Sequence, residues 1–348
     1  MQKKYLLGFD VGTSESKGTL TDLEGHVLAI ASAKHGIISP YPGFAEHDPI
    51  ADWMSDLKKV IRELLKQING RPEEIAAIGI STIMAAVTFV DENCEPLRNA
   101  ILYGIDTRCV KQTDEINEKI GIEKMQQEFG TICTVEHFGP KILWVKENEP
   151  EIFEKTKHIT FASGFLTARL TGNYYVDKYS ASSALPMLDV KKQQWNDELC
   201  GMICSKELLP EIADSTYAVI GTVTAKAAEE TGLARGTKVI CGTTDAGAEA
   251  VSVGVVKPGD TMLMYGSTAF YIGVTGEKIS GTKMWSNDYT INHQYCCTGG
   301  MATTGSLTRW IRDEMAKELF AAGRNRWRKC LCSLVLKKQR EYLLEVMA

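Results

Sequence analysis

The 348-residue sequence lacks the features that mark several classes of protein. Its 39 Lys and Arg residues are outnumbered by 44 Asp and Glu residues, a net charge of −5, so it has no basic surplus for binding nucleic acid or an anionic membrane. No apolar run is long enough to span a bilayer, and residues 1–4 lead straight into a predicted strand rather than into the apolar part of a signal peptide. The sequence therefore predicts no nucleic-acid partner and no membrane partner.

Metal-binding and disulfide patterns are also missing. The ten cysteines contain no C-x-x-C pair, and none of the six histidines is four residues from another. This spacing argues against a zinc site and favours reduced, buried cysteines in a cytoplasmic protein. What is present is ordinary for a globular protein with a substantial core: 44% apolar and 24% charged residues, in a length that suggests two domains.

The stretch YLLGFDVGTSESKGTL near the N-terminus organises the rest of the chain. It predicts a strand, an acidic residue at its end, a tight turn and a returning strand that begins near Lys17. The turn Gly12-Thr13-Ser14 would let backbone N–H groups converge on an anionic oxygen. Asp10 can hold Mg²⁺ or a water in its shell, and the metal then bridges to phosphate. The alternative is an ordinary β-hairpin with a polar turn.

The clearest helix follows a third short strand at 27–33. Asp48 can cap this helix, Pro49 fits its first turn, and Asn69-Gly70 ends it. The next strand, at 75–80, completes a crossover that implies parallel pairing. Further predicted elements are strands at 88–90, 101–103, 219–223 and 239–241, mainly helical structure over 110–172, helices at 225–231, 245–253 and 304–320, and a hairpin of 261–265 with 268–274.

A second turn of small residues, Gly266-Ser267-Thr268, lies in the stretch MLMYGSTAFYIGV. It repeats the design of the first hairpin, with a strand, a Gly/Ser/Thr turn and a returning strand. Two such hairpins predict two related domains that face each other across a cleft and grip phosphates from both sides.

Several motifs in order resemble the FGGY carbohydrate kinases, most closely the xylulokinase-like members. The matching segments run from about residue 5 to residue 323. They are GFDVGTS, AILYGIDTR, PKILWVKENEPEIF, FLTARLTGNYYVD, CGTTDAGAEA, VVKPGD, MYGST and TGGMATTGSLTRWIRDE.

This resemblance implies an α/β fold of the actin-like, ribonuclease H-like type, with two domains around a cleft for ATP and sugar. The implied reaction transfers the γ-phosphoryl group of ATP to a sugar or polyol hydroxyl, with Mg²⁺ as the metal. Asp245 would be the catalytic base and, with Asp10, would lie at the metal. The two turns and Lys17 would approach the phosphates, and Asp106 and Arg108 would lie near the sugar. The resemblance leaves a homodimer open.

Each of these residues also has a structural interpretation. Asp245 follows a predicted strand and opens a helix of small residues, so it could be a helix N-cap, a role compatible with base catalysis. Lys17 could be a solvated strand residue. Asp106 and Arg108 could form a surface ion pair of little energetic value, although together they offer acceptors and donors to a polyol.

The sequence departs from the family pattern on the sugar side. Xylulokinases carry Gln-Met-His where this chain has Ile83-Met84-Ala85, and Tyr103 replaces the usual Trp. Met84 and Tyr103 are therefore candidate substrate-side residues. Ala246 follows the proposed base where many relatives have Asn. These differences argue against D-xylulose itself as the substrate.

The C-terminal part also departs from the family. The expected organisation is an N-terminal domain over 1–243, the start of a C-terminal domain over 244–323, and an atypical basic tail over 324–348. The Gly-rich loop that holds adenosine in relatives is absent, and a shifted reading frame or disrupted gene would explain the ending. A basic amphipathic tail is the alternative. The sequence predicts little or no kinase activity for this chain.

Two other function classes stay open at this point. One is a non-catalytic sugar-binding remnant, because the sugar side is the more complete half. The other is an actin-like ATPase, because a shared fold does not fix function. The D-x-R segment and Asp245 in their motifs favour the kinase.

Overall fold

The computed structural model describes residues 2–266, 269–279, 284–301 and 303–315. The chain divides into two compact units: the first comprises Met1–Thr261 and Gly273–Cys297, and the second comprises Met262–Ile272 and Thr298–Ala348. None of the described helices combines the length and the apolarity needed to cross a bilayer.

The described part of the chain contains both strands and helices. The strands are β1 (Tyr5–Val11), β2 (Glu15–Asp22), β3 (Val27–Lys34), β4 (Glu46–His47), β5 (Ile75–Thr82), β6 (Val87–Val90), β7 (Ala100–Ile101), β8 (His158–Phe161), β9 (Tyr175–Val176), β10 (Leu188–Asp189), β11 (Gln194–Trp195), β12 (Glu211–Ile212), β13 (Val219–Thr222), β14 (Lys238–Ile240), β15 (Thr243–Thr244), β16 (Thr261–Tyr265), β17 (Ala269–Thr275), β18 (Trp285–Asp288) and β19 (Tyr295–Met301). The α-helices are α1 (Ser55–Gln67), α2 (Val110–Ile120), α3 (Ile122–Phe129), α4 (Phe138–Asn148), α5 (Pro150–Lys155), α6 (Ala162–Thr171), α7 (Lys178–Ala181), α8 (Asp197–Gly201), α9 (Ala225–Thr231), α10 (Asp245–Ser252) and α11 (Gly305–Trp310). Short 3₁₀ turns cover Pro72–Glu74 and Lys206–Leu208, and π-helical segments cover Pro49–Met54 and Ile311–Met315.

The large sheet of the first unit has the strand order β13-β14-β5-β1-β2-β3, with β15 also beside β5. Strands β1, β2 and β3 form an antiparallel meander, as the sequence predicts. β5 pairs parallel with β1, and both β14 and β15 pair parallel with β5. The carboxyl ends of β1, β5 and β15 therefore meet at the same edge of the sheet.

Helix α1 covers one face of this sheet. The preceding Asp48 caps the helical region, because its carboxylate accepts the N–H groups of Ile50 and Ala51 at 2.8 and 2.9 Å. One face of α1 is buried, and Gly18 in β2 permits the close approach: a Cβ there would lie 2.2 Å from Val60. The apolar spacing thus produces an amphipathic helix that packs on the sheet.

A second, smaller sheet has the order β4-β7-β6-β8 and carries its own apolar core. Helix α4 contributes Phe138 to this core, where its ring stacks on Phe161 of β8 at a centroid distance of 4.0 Å. β8 lies in the region that the sequence predicts as mainly helical. The strand predicted at 101–103 is shorter in the structure, because β7 ends at Ile101.

In the second unit, the described part of the helix predicted at 304–320 comprises α11 and the π-helical segment that follows it. The rest of that helix and the segment 324–348 lie outside the described residues.

Candidate active site

Three neighbouring strand ends carry polar side chains in matching register. Asp10 of β1 lies opposite Ser81 of β5, and Ser81 lies opposite Thr243 of β15. Asp245 follows β15 directly and is the first residue of α10. Parallel pairing therefore brings Asp10 and Asp245, which are 235 positions apart in sequence, to one edge of the sheet.

Asp10 is partly buried and has a specific partner. The Ser81 hydroxyl donates a hydrogen bond to its Oδ1 at 2.7 Å. Burial raises the pKa of Asp10, while the hydrogen bond from Ser81 and the charge of Lys17 oppose that rise. Lys17 is the direct cross-strand partner of Asp10 in the β1–β2 pair, so the two side chains share one face.

Asp245 is the most perturbed carboxylate of the group. Its Oδ1 accepts the N–H of Ala246 at 2.7 Å. Burial raises its pKa to about 7, and the negative charges of Asp10 and Glu249 act in the same direction. Thr244, not Asp245, occupies the N-cap position of α10, so the helix-cap interpretation does not describe Asp245. A carboxyl group poised near neutral pH suits proton transfer.

Asp10, Lys17 and Asp245 line one cavity of about 670 Å³. The cavity also contains Glu249, a residue that the sequence reasoning missed. Glu249 lies four residues after Asp245 on α10, and this i, i+4 spacing was the available signal. Burial and the charge of Asp10 raise the pKa of Glu249.

The cavity carries the type of ligand that a hard divalent cation prefers. Asp10, Asp245 and Glu249 are carboxylates, the oxygen ligands that suit Mg²⁺, and the charge of Asp10 raises the pKa of both of the others. Asp10 and Asp245, the two residues that the sequence assigns to the metal, both belong to this set.

A buried carboxylate supports the strand that leads to Asp245. Asp177 accepts hydrogen bonds from the Thr243 hydroxyl at 3.0 Å and from the hydroxyl of Ser180. Its side chain is fully buried, and this burial raises its pKa to about 6. Asp177 thus connects the N-terminus of α7 to β15.

The first turn lies where β1 passes into β2. The N–H of Gly12 donates to Glu15 at 3.0 Å, and the backbone of Ser14 accepts the N–H of His35 at 3.2 Å. The Thr13 hydroxyl is 3.0 Å from the hydroxyl of Tyr103. A predicted phosphate-side residue and a predicted substrate-side residue are therefore in contact, although the turn itself does not line the cavity of Asp245.

Asp106 and Arg108 form a buried ion pair rather than a surface one. The side chains of both are fully buried, and Arg108 donates to both carboxylate oxygens of Asp106 at 2.7 to 3.0 Å. Asp106 also accepts the N–H of Ala45 at 2.7 Å, and Arg108 reaches Glu46 at 2.8 Å. Neither residue lines the cavity of Asp245, so their contact with sugar stays a prediction.

The remaining sequence-predicted residues lie elsewhere. Met84 is partly buried and packs against the core of the second sheet. The carbonyl of Gly266 accepts the N–H of Gly305 at 2.9 Å within the second unit. Ser267 and Thr268 lie outside the described residues.

Known proteins resemble this chain over most of its length. A xylulose kinase of Lactococcus lactis is 31% identical over 318 residues, which are 90% of this chain and 62% of the relative. A glycerol kinase of Leifsonia xyli is 27% identical over 328 residues, 90% of this chain and 63% of the relative. The chain thus spans less than two thirds of the length of these curated relatives.

Solved structures agree on the fold. The xylulose kinase from Rhodospirillum rubrum superposes with a TM-score of 0.87 at 27% identity, covering 96% of this chain and 67% of that protein. The Plasmodium falciparum glycerol kinase with ADP gives a TM-score of 0.80 at 25% identity, covering 90% of this chain and 64% of that protein. The expected α/β fold of the actin-like, ribonuclease H-like type is confirmed.

The model of the FGGY family of carbohydrate kinases, N-terminal domain, matches residues 5–252, which include every residue that lines the cavity of Asp245 except Thr290. Because this match covers well over half of the chain, the chain belongs to the FGGY family of carbohydrate kinases.

Proposed function

We propose that this protein takes part in the ATP-dependent phosphorylation of a sugar or polyol hydroxyl, with Asp245 as the general base. The observation that carries the proposal is the position of Asp245 on one cavity with Asp10 and Lys17, together with its pKa of about 7. Membership of the carbohydrate kinase family supports the reaction class. Relatives named xylulose kinase and glycerol kinase support a small polyhydroxylated substrate.

The proposed step assigns a role to each residue on the cavity. Asp245 accepts the proton of the substrate hydroxyl, the oxygen forms a bond to the γ-phosphorus, and the bond to the β–γ bridging oxygen breaks to release ADP. Lys17 offers positive charge to the phosphates. Asp10 and Asp245 would hold Mg²⁺, with Glu249 beside them. When bound, the metal neutralises phosphate charge.

We propose the class of the substrate, a sugar or polyol, rather than one compound. Ala85 and Ala246 replace larger polar residues of xylulokinases, so we propose a substrate other than D-xylulose. Tyr103, Met84, Asp106 and Arg108 are the residues we propose for the substrate side.

Phosphoryl transfer by the purified chain tests this function. Because the sequence predicts little turnover, the assay uses protein in excess over γ-labelled ATP with Mg²⁺ and a panel of ketoses, polyols and aldonates. We expect Asp245→Asn to slow transfer about 100-fold or more, since general bases contribute about 10²- to 10⁴-fold to rate. Asp214→Asn, a substitution of an exposed aspartate outside the cavity, should leave the rate unchanged.

Two outcomes would contradict the proposal. Transfer that is insensitive to Asp245→Asn would remove Asp245 as the base. Calorimetry that shows sugar binding without nucleotide binding, and no label transfer, would favour the sugar-binding alternative. ADP release as fast as that of a full-length relative would instead refute the sequence-based prediction of impaired activity.

A further inference from the structure

Two buried histidines contact the backbone of the first turn. His35, just after β3, places its Nε2 3.0 Å from the carbonyl oxygen of Gly12. His47, at the end of β4, places its Nε2 3.1 Å from the carbonyl oxygen of Thr13. The two rings contact each other edge to face, with centroids 4.7 Å apart. His35 and His47 therefore hold the consecutive carbonyl groups of Gly12 and Thr13. Neither histidine has a role in the proposed reaction.

The hydrogen bonds of His47 fix its tautomer. The indole N–H of Trp53 donates to His47 Nδ1 at 3.1 Å, and an indole N–H can only donate. Nδ1 is therefore the acceptor nitrogen, and Nε2 carries the proton that it donates to Thr13. Burial, together with the neighbouring His35, lowers the pKa of His47 to about 4, so this ring is neutral at physiological pH.

His35 has acceptors on both sides. Its Nδ1 is 2.8 Å from a carboxylate oxygen of Asp56, and its Nε2 faces the carbonyl of Gly12. The side chains of His35 and Asp56 are each 1% exposed, so both contacts of the His35 ring are shielded from solvent.

Peptide geometry links these contacts to the opposite side of the turn. In a trans peptide the carbonyl of one residue and the N–H of the next point in opposite directions. Fixing the carbonyls of Gly12 and Thr13 therefore directs the N–H groups of Thr13 and Ser14 away from the histidines. Within residues 2–266, neither N–H donates a hydrogen bond to another protein group.

We propose that His35 and His47 are positioning residues that aim the N–H groups of Thr13 and Ser14 at phosphate oxygens. Two adjacent N–H groups that point the same way form an anion-binding concavity. The histidines act through the backbone and touch no reacting atom. This inference rests on the proposed function, in which the turn approaches the phosphates of ATP.

The test uses magnesium tripolyphosphate as the probe, because it carries the phosphates of ATP without adenosine. In the full chain labelled with ¹⁵N at Thr and Ser, the amide shifts of Thr13 and Ser14 report binding at the turn. We expect His47→Leu to weaken binding about tenfold, the effect of losing one positioned hydrogen bond. His47→Gln, whose side-chain N–H can reach the same carbonyl, should restore binding to within about threefold.

A matched control separates positioning from stability. His158 is a half-buried histidine of β8 that stacks on Tyr174 at 3.8 Å, so His158→Leu removes an imidazole away from the turn. It should leave tripolyphosphate affinity unchanged whatever it does to the melting temperature. His35→Leu, by contrast, should weaken binding at least as much as His47→Leu.

Three results would overturn the inference. If Thr13 and Ser14 respond to the probe with equal affinity in wild type and His47→Leu, the histidines do not position the turn, and the proposed function stands. If neither amide responds in the wild type, both this inference and the phosphate role of the turn fail. A third measurement needs no variant: ring ¹⁵N shifts that show the proton of His47 on Nδ1 would also refute the arrangement.

Discussion

At the scale of single residues, burial affects two aspartates of the first unit in different ways. Asp245 faces a cavity and two other carboxylates, so its ionised form has little stabilisation from the protein alone. Asp177 is fully buried but accepts hydrogen bonds from Ser180 and Thr243. Both pKa values are raised because burial outweighs the hydrogen bonds. A group next to a cavity can exchange its proton with a ligand, whereas Asp177 does not line the cavity of Asp245 and acts through Ser180 and Thr243.

Asp177 predicts a specific pH dependence of stability. Its pKa rises from an ordinary value of 3.8 to about 6 in the folded protein. Between these pH values the folded state keeps a proton that the unfolded state releases, so stability falls as pH rises and levels off above pH 6. The loss amounts to about 3 kcal/mol across that window.

Asp177→Asn removes this titration while keeping the shape of the side chain. We expect the free energy of unfolding of the variant, relative to wild type, to increase from pH 4 to pH 6 and then stay constant. Denaturant unfolding at a series of pH values measures the difference. A difference that does not change with pH would show that Asp177 titrates normally in the folded protein.

At the scale of secondary-structure elements, Gly242 determines how β14 passes into β15. Its φ of +76° lies in the left-handed region, and a Cβ there would lie 2.1 Å from the backbone oxygen of Ile80. We expect Gly242→Ala to cost about 3 kcal/mol or more, because the clash with a rigid strand adds to backbone strain. It should also reduce phosphoryl transfer, since β15 sets the position of Asp245.

Gly236→Ala is the matched control for this prediction. Gly236 has a φ of +85°, but a Cβ added there would meet no atom within 4 Å, so the variant tests strain without a clash. We expect it to cost about 1 kcal/mol. Thermal unfolding of the two variants gives the comparison, and equal losses in both would mean that contact with Ile80 is unimportant.

Local elements with strong end signals could be predicted from the sequence. The first hairpin, the capped helix that leads into α1 and the helix that opens with Asp245 all appear at the expected places, although β2 begins at Glu15 rather than near Lys17. β8 was missed because its four residues are too few to show a period. Its pairing with β6 is a long-range choice that local patterns do not contain.

The candidate site was predictable where a motif fixed the residue, as for Asp10, Lys17 and Asp245, which share a cavity. The hydrogen-bonding partners of these residues could not be predicted, because they depend on the register between strands that are distant in sequence. Ser81 meets Asp10 only through the parallel pairing of β1 and β5. The pair Asp106 and Arg108 looked exposed from its spacing, but packing of Arg108 against Phe44 and Glu46 buries it.

At the scale of the whole molecule, the two larger apolar cores of the described residues both contain cysteines. One core lies beneath the large sheet and includes Cys94, and the other lies against the small sheet and includes Cys133, Cys200 and Cys204. The cysteines of the described residues are free and buried, as the sequence predicts: Cys94, Cys109, Cys133, Cys200, Cys204, Cys241, Cys296 and Cys297. They act as small apolar side chains rather than as crosslinks.

Thiol reactivity can therefore report the folding of the whole chain. Burial raises the pKa of each of these eight thiols, and only the exposed thiolate reacts with a disulfide reagent. We expect a Cys330→Ser, Cys332→Ser double variant, which keeps only these cysteines, to react slowly when native. All eight should become reactive together at the denaturant concentration that unfolds the cores, because they belong to cooperative structure.

A fraction that reacts fast without denaturant, with the rest protected, would show that part of the buried set belongs to a separately opening region. Comparing the rates of single Cys94→Ala and Cys297→Ala variants in the same background would then assign that region to the large-sheet core or to β19.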